Sequence, residues 1–342
     1  MVELNGKKIL VTFLMHLGDL TLTTPFIHAL RKAAPDAHIT MLVDEKLKDV
    51  VLFNPYLDEV VTIDKKGRDN SILSLWACSR HLSKLDFDVL INLHPNERCS
   101  FIDVMTSVKL RTGTTHKIFK WFWDVFTPLD RSMHAADMYL DVLQQLGVQD
   151  LSSNGLEIFP GEEHFLEAEL FWQEQNITDQ DKLIGFNIGS AVPTKRWPPE
   201  RFAEVADIFA AKGYKTVFFG GPMDEEMVAE ATGYMQTRPI IATGHFAIGG
   251  LAAAMRRCCL IITNDSGPMH VAISQKVPIV AMYGPSNPKL YGPYTKDAVI
   301  VTAQPPCQGC ADGMKHSCDD LQCMSRMTVE QVVAAAEKML EK

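Results

Sequence analysis

A short polar stretch late in the chain has the composition of an anion-binding loop. The residues Asp-Ser-Gly-Pro at 265–268 follow an apolar run, CLIITN, and precede a helical pattern. Proline suits the first turn of a helix, and glycine lets a ligand approach the backbone closely. A helix N-terminus also offers N–H groups and the positive end of the helix dipole. The stretch therefore predicts a phosphate site, with a simple helix cap by Asp265 or Ser266 as the equal alternative.

Two other loops in the second half of the chain have related features. The run LIGFNIG (183–189) is followed by small residues and then by Lys195 and Arg196, and the run YKTVFFGG (214–221) ends in two glycines. Loops that follow parallel strands meet at one edge of the sheet, so these loops are expected near 265–268. Together they predict a phosphorylated ligand; the alternative for Lys195 and Arg196 is a solvated loop. Neither GxGxxG nor GxxxxGK[ST] occurs in these loops.

The first half of the chain has one carboxylate in a comparable position. Asp19 follows the apolar run KKILVTFL (7–14) and stands near the start of a helical pattern that Pro35 ends. If Asp19 faces a substrate cleft, it is the best-placed general base, because a base must reach the proton that it removes. Taken alone, Asp19 is more simply a helix cap. We see no second acid that would pair with it in a two-carboxylate hydrolase.

These loops need a scaffold, and the hydrophobic pattern predicts one. Near-continuous apolar runs alternate with helical patterns, which is typical of a parallel sheet covered on both faces. The expected strands lie at 7–14, 38–44, 59–64, 88–94, 183–189, 214–221, 259–265 and 277–284. The expected helices of the second half lie at 162–175, 199–212, 224–235, 248–257, 268–275 and 328–341, whereas the pattern blurs at 110–135. We predict an α/β protein of two doubly wound, Rossmann-like domains that face a central cleft.

Length and composition narrow the class of protein. A chain of 342 residues suits two domains, which we expect at 1–165 and 166–325, with a C-terminal helix in 326–342 that packs on the N-terminal domain. The net charge of -9 argues against a nucleic-acid partner held by a basic face. No apolar run reaches the roughly 18–20 residues of a transmembrane helix, and ILVTFLMHL (9–17) has no cleavage site after it. We therefore expect a cytoplasmic protein.

Five segments that run through nearly the whole chain resemble glycosyltransferase family 9, the lipopolysaccharide heptosyltransferases. They are LGDLTLTTPFIHALRKAAPDAHIT (17–40), NPYLDEVVTID (54–64), NIGSAVPTKRWPPERFAEVA (187–206), TNDSGPMHVAISQKVPIVAMYGPSNPKLYGPY (263–294) and PCQGCADGMKHSCDDLQCM (306–324). The cysteine-spaced tail is most similar to the heptosyltransferase II branch. The resemblance implies the GT-B fold, with the acceptor in the N-terminal domain and the donor in the C-terminal one. It also implies inverting transfer of a heptose from an ADP-activated donor to the inner core of lipopolysaccharide, a Kdo/heptose-lipid A acceptor.

The resemblance implies roles for individual residues. Asp19 would deprotonate the acceptor hydroxyl, and Lys195 would contact the donor diphosphate. The other donor-binding residues would be Ser190, Phe246 (near the adenine), Asp265, Ser266, Gly267, Pro268, Met269 and His270. A cation and a helix N-terminus can stabilise the leaving ADP, so no metal or other cofactor is expected to be required. Ala191 departs from the hydroxyl residue that is common at its position, which removes one hydrogen-bond donor.

The acceptor side is less specific. Gly18, His94 and Arg98 are the candidate acceptor-binding residues. His94 and Arg98 follow the fourth strand and can contact acidic groups of the acceptor, although a loop histidine and a helix arginine with no ligand are equally expected there.

Four cysteines near the C-terminus form a separate group. Cys307, Cys310, Cys318 and Cys323 have the spacing C-x2-C-x7-C-x4-C, which can hold a structural zinc ion. A reduced loop without metal is the favoured interpretation in the cytosol.

The partners implied are a nucleotide-sugar donor and a lipopolysaccharide-core acceptor at the inner membrane surface, which allows a peripheral position on the inner face of the cytoplasmic membrane. One alternative is a glycosyltransferase that uses another nucleotide sugar, because loop details set the base and the sugar. A second is a nucleotide-binding protein that has lost catalysis, against which the presence of both Asp19 and Lys195 argues. A dehydrogenase is third, since the glycine fingerprint is missing.

Overall fold

The computed structural model describes residues 2–303, 318 and 321–341. The chain divides into two compact units, an N-terminal unit at Met1–Phe159 and a C-terminal unit at Pro160–Lys342. Each unit has its own six-stranded sheet, and every strand pairing described is parallel. The predicted α/β class with two doubly wound sheets is therefore confirmed. The division falls six residues before the predicted one, so the helix that follows it belongs wholly to the C-terminal unit.

The N-terminal unit contains six strands and five α-helices. The elements are β1 (Lys8–Thr12), α1 (Leu17–Thr21), α2 (Thr24–Ala33), β2 (His38–Asp44), β3 (Glu59–Ile63), α3 (Ile72–Ser83), β4 (Phe87–Asn92), α4 (Glu97–Met105), β5 (Val108–Gly113), β6 (Val125–Phe126) and α5 (Ala135–Leu146). Short 3-10 segments lie at Glu45–Val50 and Lys117–Phe122. The strand order is β3-β2-β1-β4-β5-β6.

The C-terminal unit repeats this winding. Its elements are α6 (Glu162–Glu174), β7 (Leu183–Asn187), α7 (Pro199–Ala211), β8 (Lys215–Phe219), α8 (Glu225–Tyr234), β9 (Ile240–Ile241), α9 (Ile248–Met255), β10 (Cys258–Asn264), α10 (Gly267–Ser274), β11 (Ile279–Met282), α11 (Pro288–Tyr291), β12 (Ala298–Val301), α12 (Gln322–Ser325) and α13 (Val329–Leu340). Short 3-10 segments lie at Pro193–Lys195 and Pro222–Asp224. The order β12-β11-β10-β7-β8-β9 is the first unit's order when strands are counted within the unit.

The order found in both units is the Rossmann order, in which the first and fourth strands are neighbours. The chain leaves the first strand toward one side of the sheet and the fourth toward the other. A crevice therefore opens between the loops that follow these two strands, and ligands of open α/β sheets bind there. In the N-terminal unit these strands are β1 and β4, and in the C-terminal unit they are β7 and β10.

The C-terminal helix does not pack where the sequence predicted. Its apolar side chains Val332, Ala336 and Met339 are buried in the core of the C-terminal unit, among residues of β7, α7, β10 and β11. The Trp197 Nε1–H, which follows β7, donates to the Met327 carbonyl at 3.1 Å. The prediction that this helix lies on the N-terminal domain is therefore wrong, because its apolar face completes the core of the unit that precedes it.

Other differences from the predicted elements have local causes. The predicted long helix after β1 is two helices, α1 and α2, and Pro25 stands in the first turn of α2, where its missing N–H is tolerated. The strands β5 and β6 occupy the stretch in which the pattern was weak. β5 carries Lys109 and Arg111 and β6 has only two residues, so neither forms the apolar run by which the other strands were recognised.

One glycine in the core of the C-terminal unit gives a stability prediction. A Cβ on Gly185, in the middle of β7, would lie under 3.0 Å from both Ile261 Cδ1 and Phe219 Cε2. Overpacking of this kind costs about 1–3 kcal/mol, so Gly185→Ala should lower the melting temperature by roughly 2–12 °C. Gly233→Ala is the matched control, because nothing lies within 4 Å of its Cβ position on α8. Alanine favours a helix, so the control should melt at or above the wild-type temperature, measured by circular dichroism.

Candidate functional site

The loop after β7 and the loop after β10 meet at the carboxyl edge of the C-terminal sheet. The Lys195 ammonium forms an ion pair with Asp265, with 2.7 Å between Nζ and Oδ2. The two side chains are only 13% and 6% exposed, so the pair is largely desolvated. Ser286, which follows β11, donates its hydroxyl to the same carboxylate oxygen. The loops after three neighbouring strands, β7, β10 and β11, thus each contribute one polar side chain to this cluster.

The geometry of this loop is not that of a simple helix cap. Ser266 is the N-cap residue of α10, yet its side chain makes no capping hydrogen bond. Its hydroxyl instead accepts from Asn187 Nδ2 at 2.8 Å. Because the Asp265 carboxylate is held by Lys195 and Ser286, neither residue makes the predicted cap. The polar side chains of the turn are used to join the loops that surround the helix start.

Buried asparagines end the strands that bound the crevices. Asn187 ends β7, and Asn264 ends β10. The Asn264 side chain accepts from the Trp197 N–H at 3.0 Å and donates to the Ile188 carbonyl at 2.7 Å, which fixes the path of the loop that carries Lys195. In the N-terminal unit, Asn92 ends β4 and accepts from the His94 N–H at 2.6 Å. Sequence reasoning missed this role, although an asparagine at the end of an apolar strand was the available signal.

The other predicted donor residues fall into two groups. Ser190, Met269 and His270 are buried at the crevice between β7 and β10. The Ser190 hydroxyl donates to the Asp265 carbonyl at 3.4 Å, and the Met269 N–H donates to the Ser266 carbonyl at 3.2 Å. Gly267 and Pro268 form the start of α10, where the first N–H groups of a helix have no partner within the helix. These residues therefore share one edge, as the sequence predicted from their loops.

Phe246 lies farther along the same sheet, in the loop between β9 and α9. It is half-buried and packs edge-on against Phe171 of α6, with 5.0 Å between the ring centroids, and against His245 at 4.7 Å. Its predicted contact with an adenine stays a prediction.

Asp224, in the 3-10 segment that follows β8, lies directly over the backbone of Gly189 in the loop after β7. A Cβ on Gly189 would collide with the Asp224 carboxylate, one oxygen of which accepts from the Gly221 N–H at 2.9 Å. A glycine is therefore required where the loops after β7 and β8 approach each other.

In the N-terminal unit, Asp19 is the third residue of α1 and is half-buried. Gly18 precedes it in the same turn. The loop that leads from β1 to this helix is held by Lys65, whose Nζ donates to the Leu14 carbonyl at 2.6 Å and lies 3.1 Å from Asp44 Oδ2. One ammonium group thus joins the loops after β1 and β3 to the last residue of β2. The sequence analysis did not identify Lys65, which stands directly after the strand–turn sequence VTID.

The two acceptor candidates after β4 have different surroundings. His94 is buried, and burial lowers the pKa of its imidazole to about 4, with the charges of Lys65 and His16 adding to the effect. His94 is therefore neutral near pH 7. The Arg98 guanidinium is engaged by the Lys65 carbonyl and by Asn70 Oδ1, the latter at 2.7 Å. Arg98 thus fixes the loop after β3, in addition to any contact with an acceptor.

A buried carboxyl group lies beneath the crevice between β1 and β4. Asp103 of α4 accepts from the Thr12 hydroxyl at 3.1 Å and from Asn92 Nδ2 at 2.5 Å, and these two residues end β1 and β4. Burial raises the pKa of Asp103 well above its usual range. The group ties the ends of the two strands together from below. Its position in a helix, among apolar neighbours in sequence, gave no signal of this role.

The cysteine prediction is only partly covered by the structure. Cys307 and Cys310 lie outside the described residues. Cys318 is half-buried, and Cys323 is buried, with its Sγ 3.1 Å from the Cβ position of Gly284. Within residues 2–303, 318 and 321–341, no three His, Cys, Asp or Glu side chains are grouped as metal ligands.

No helix among the described residues has both the length and the apolar character needed to cross a membrane. Two Rossmann-ordered sheets, one of which gathers a cation, a carboxylate and hydroxyls at a helix start, match the architecture of GT-B glycosyltransferases. The structure of Escherichia coli ADP-heptose lps heptosyltransferase II shares this fold, with a TM-score of 0.79 over 98% of each chain at 21% identity. The class that this comparison defines is a protein of the GT-B fold.

Comparison of sequences gives the family. The profile of glycosyltransferase family 9 (heptosyltransferase) matches residues 75–318. A glycosyl transferase family 9 protein from Veillonella parvula is 53% identical, with a TM-score of 0.95 over 99% of both chains. Lipopolysaccharide heptosyltransferase 3 of Escherichia coli K12 is 24% identical, in an alignment that covers 94% of this chain and 95% of the relative. The chain belongs to glycosyltransferase family 9, and the predicted glycosyltransferase activity is confirmed at that level.

Proposed function

We propose that the protein transfers a heptose from ADP-L-glycero-D-manno-heptose to the inner core of lipopolysaccharide, a Kdo/heptose-lipid A acceptor, with inversion at the anomeric carbon. The observation that carries the proposal is the buried Lys195–Asp265 pair at the start of α10. Relatives add support: the E. coli heptosyltransferase WaaC, 17% identical, has been solved with ADP. The family description and the curated relatives name heptose and lipopolysaccharide.

In the proposed reaction, Asp19 accepts the proton of an acceptor hydroxyl while that oxygen attacks the anomeric carbon. The new carbon–oxygen bond forms as the bond to the phosphate oxygen breaks, and ADP leaves with the electron pair. The leaving group gains negative charge in the transition state, where a preorganised cation and helix dipole stabilise it most. Lys195 and the N-terminus of α10 would supply that stabilisation.

The donor diphosphate would be contacted by Lys195 and Ser190. Asp265, Ser266, Gly267, Pro268, Met269 and His270 would form the cradle around the phosphates and the sugar, and Phe246 would lie near the adenine. An ammonium group has three N–H donors, and the ion pair with Asp265 needs only one. Lys195 can therefore meet a phosphate oxygen without leaving the carboxylate. If Lys195 and the N-terminus of α10 stabilise the leaving group in this way, no metal is expected to be required for this step.

On the acceptor side we propose Gly18, His94 and Arg98. A neutral His94 would donate or accept a hydrogen bond rather than provide charge, whereas Arg98 is cationic. Because the proposed acceptor is anchored in lipid, we also propose that the enzyme works at the inner face of the cytoplasmic membrane.

A thermal-shift series with ADP, UDP, GDP and dTDP tests the donor class. A ligand that binds only the folded state at about 100 times its Kd stabilises it by about 2.7 kcal/mol. We expect ADP to raise the melting temperature and the other three nucleotides to raise it little. Selective stabilisation by another nucleotide would replace the donor in this proposal with a different nucleotide sugar. No shift with any of the four would contradict nucleotide-sugar binding.

A further inference from the structure

One part of the N-terminal unit exposes an unusual group of large apolar side chains. We call them the apolar rim, and they lie in the first turns of α3 and in the 3-10 segment Lys117–Phe122. Trp121 is 94% exposed, so almost none of its indole ring is covered by the protein. The full set is Ile72, Leu73, Trp76, Ile118, Trp121 and Phe122, all of them exposed.

The fold brings the two halves of the rim to the same edge of the sheet. α3 begins at the carboxyl edge because it follows β3 and its connecting loop, and the segment 117–122 follows β5 at that edge. α4 begins between them, and α3 and α4 share one core, to which α3 contributes Leu75 and Leu82 and α4 contributes Ile102. The α4 residues Arg98 and Ser100 bind both flanking loops: Arg98 Nη2 donates to Asn70 Oδ1 at 2.7 Å, and Ser100 Oγ accepts from the His116 N–H at 2.9 Å.

Basic side chains accompany the apolar ones. The segments 64–76, 97–98 and 116–122 contain six Lys or Arg residues and three Asp or Glu residues, in a chain whose net charge is -9. Lys66, Lys117 and Lys120 are exposed, and the Lys120 ammonium lies 4.3 Å from the centre of the Phe126 ring. Arg68 is partly neutralised by Glu45, with 2.9 Å between Nη2 and Oε2. The rim is therefore locally cationic on an acidic protein.

Single exposed apolar residues are normal on protein surfaces, but this combination is more specific. Tryptophan with interleaved lysine is the composition of surfaces that lie in the head-group region of a bilayer, where the ring is partly buried and the cations meet anionic lipid. We propose that the apolar rim docks the N-terminal unit on an anionic lipid bilayer. The inference deepens the proposed function by naming the surface that would bring the enzyme to a lipid-anchored acceptor.

Co-sedimentation of the full chain with vesicles tests the proposal without donor or acceptor. We expect binding to vesicles that contain phosphatidylglycerol, much weaker binding to pure phosphatidylcholine, and a loss of binding as salt is added. Ile118→Ser combined with Trp121→Ser should reduce the partition coefficient at least about tenfold, in line with the loss of two buried apolar side chains. Lys117→Gln combined with Lys120→Gln should reduce the preference for anionic lipid, because two of the exposed cations are lost.

The matched control is Leu166→Ser combined with Leu170→Ser, which removes two exposed apolar side chains from α6 in the C-terminal unit. The control should bind vesicles like the wild type, and all variants should keep their melting temperature and their ADP affinity. Equal vesicle binding by the rim variant and the wild type would overturn the proposal. The proposal would also be overturned if sedimentation velocity without lipid showed that the wild type self-associates and that the rim variant does not. Vesicle binding and ADP affinity are measured separately. A failure of the docking proposal therefore does not contradict the proposed donor site, and a failure of the donor site does not contradict the docking proposal.

Discussion

Replacing Asp19 with asparagine should lower turnover by roughly 10²–10⁴-fold, the usual contribution of a general base. Asparagine has nearly the same size as aspartate but cannot accept the proton of the acceptor hydroxyl. ADP affinity should change little, because Asp19 lies in the N-terminal unit and the predicted diphosphate loops lie in the C-terminal unit. A transfer assay and a calorimetric titration with ADP, made on the same purified variant, measure the turnover and the ADP affinity.

The chain provides a matched control for this variant. Asp137 is the third residue of α5, as Asp19 is of α1; both helices have a histidine as N-cap residue, and both aspartates are half-buried. Asp137→Asn therefore makes the same change in charge at the same helical position. Its turnover should match the wild type. If Asp19→Asn also keeps wild-type turnover, Asp19 only supports the first turn of its helix and the proposed base is wrong.

Replacing Lys195 with methionine should weaken ADP binding about ten- to a hundredfold, which corresponds to the roughly 1.5–3 kcal/mol of a charge-assisted contact. Adenosine, which lacks phosphates, should lose far less affinity. Methionine keeps most of the apolar stem, so the change removes mainly the ammonium group. Isothermal titration with both ligands separates the phosphate contact from general damage to the site.

Two features of the structure refine the test at Lys195. The variant leaves the buried Asp265 carboxylate without its cation and with only neutral partners such as the Ser286 hydroxyl, so the free energy of unfolding should also fall. Lys212→Met is the control, because Lys212 forms an ion pair with Glu337 on α13 and belongs to no predicted ligand loop. The control should bind both ligands normally. Equal losses of ADP and adenosine affinity in Lys195→Met would mean that the lysine holds the loop and does not bind phosphate.

Much of the fold was predictable because apolar runs and helical periodicity are local properties. The predicted helices at 162–175, 199–212 and 248–257 differ from α6, α7 and α9 by two residues at most. The strand β12 was not predicted, although its apolar run is as long as that of β11, which was. The packing position of α13 was predicted wrongly, because periodicity shows that a helix has an apolar face but not which sheet will cover it.

The site was predictable only to the level of its loops. Sheet topology places the loops after β7 and β10 side by side. Lys195 and Asp265 were therefore predicted to belong to the same phosphate site. The actual ion pair joins residues 70 positions apart, and no sequence pattern specifies that the carboxylate binds the lysine instead of capping its helix. Ser286 and Asn187 were missed for the same reason, since their partners lie on other strands.

The shared strand order of the two units has a consequence for the evolution of the protein. In each unit the first strand leads into the loop with the candidate reactive group, a carboxylate after β1 and an ammonium after β7. Each sheet has its own core and its own crevice. Mutations in the loops of one unit can therefore alter recognition of one substrate while the other unit's scaffold is untouched. If the two units bind the proposed donor and acceptor, selection can act on the two binding sites one at a time.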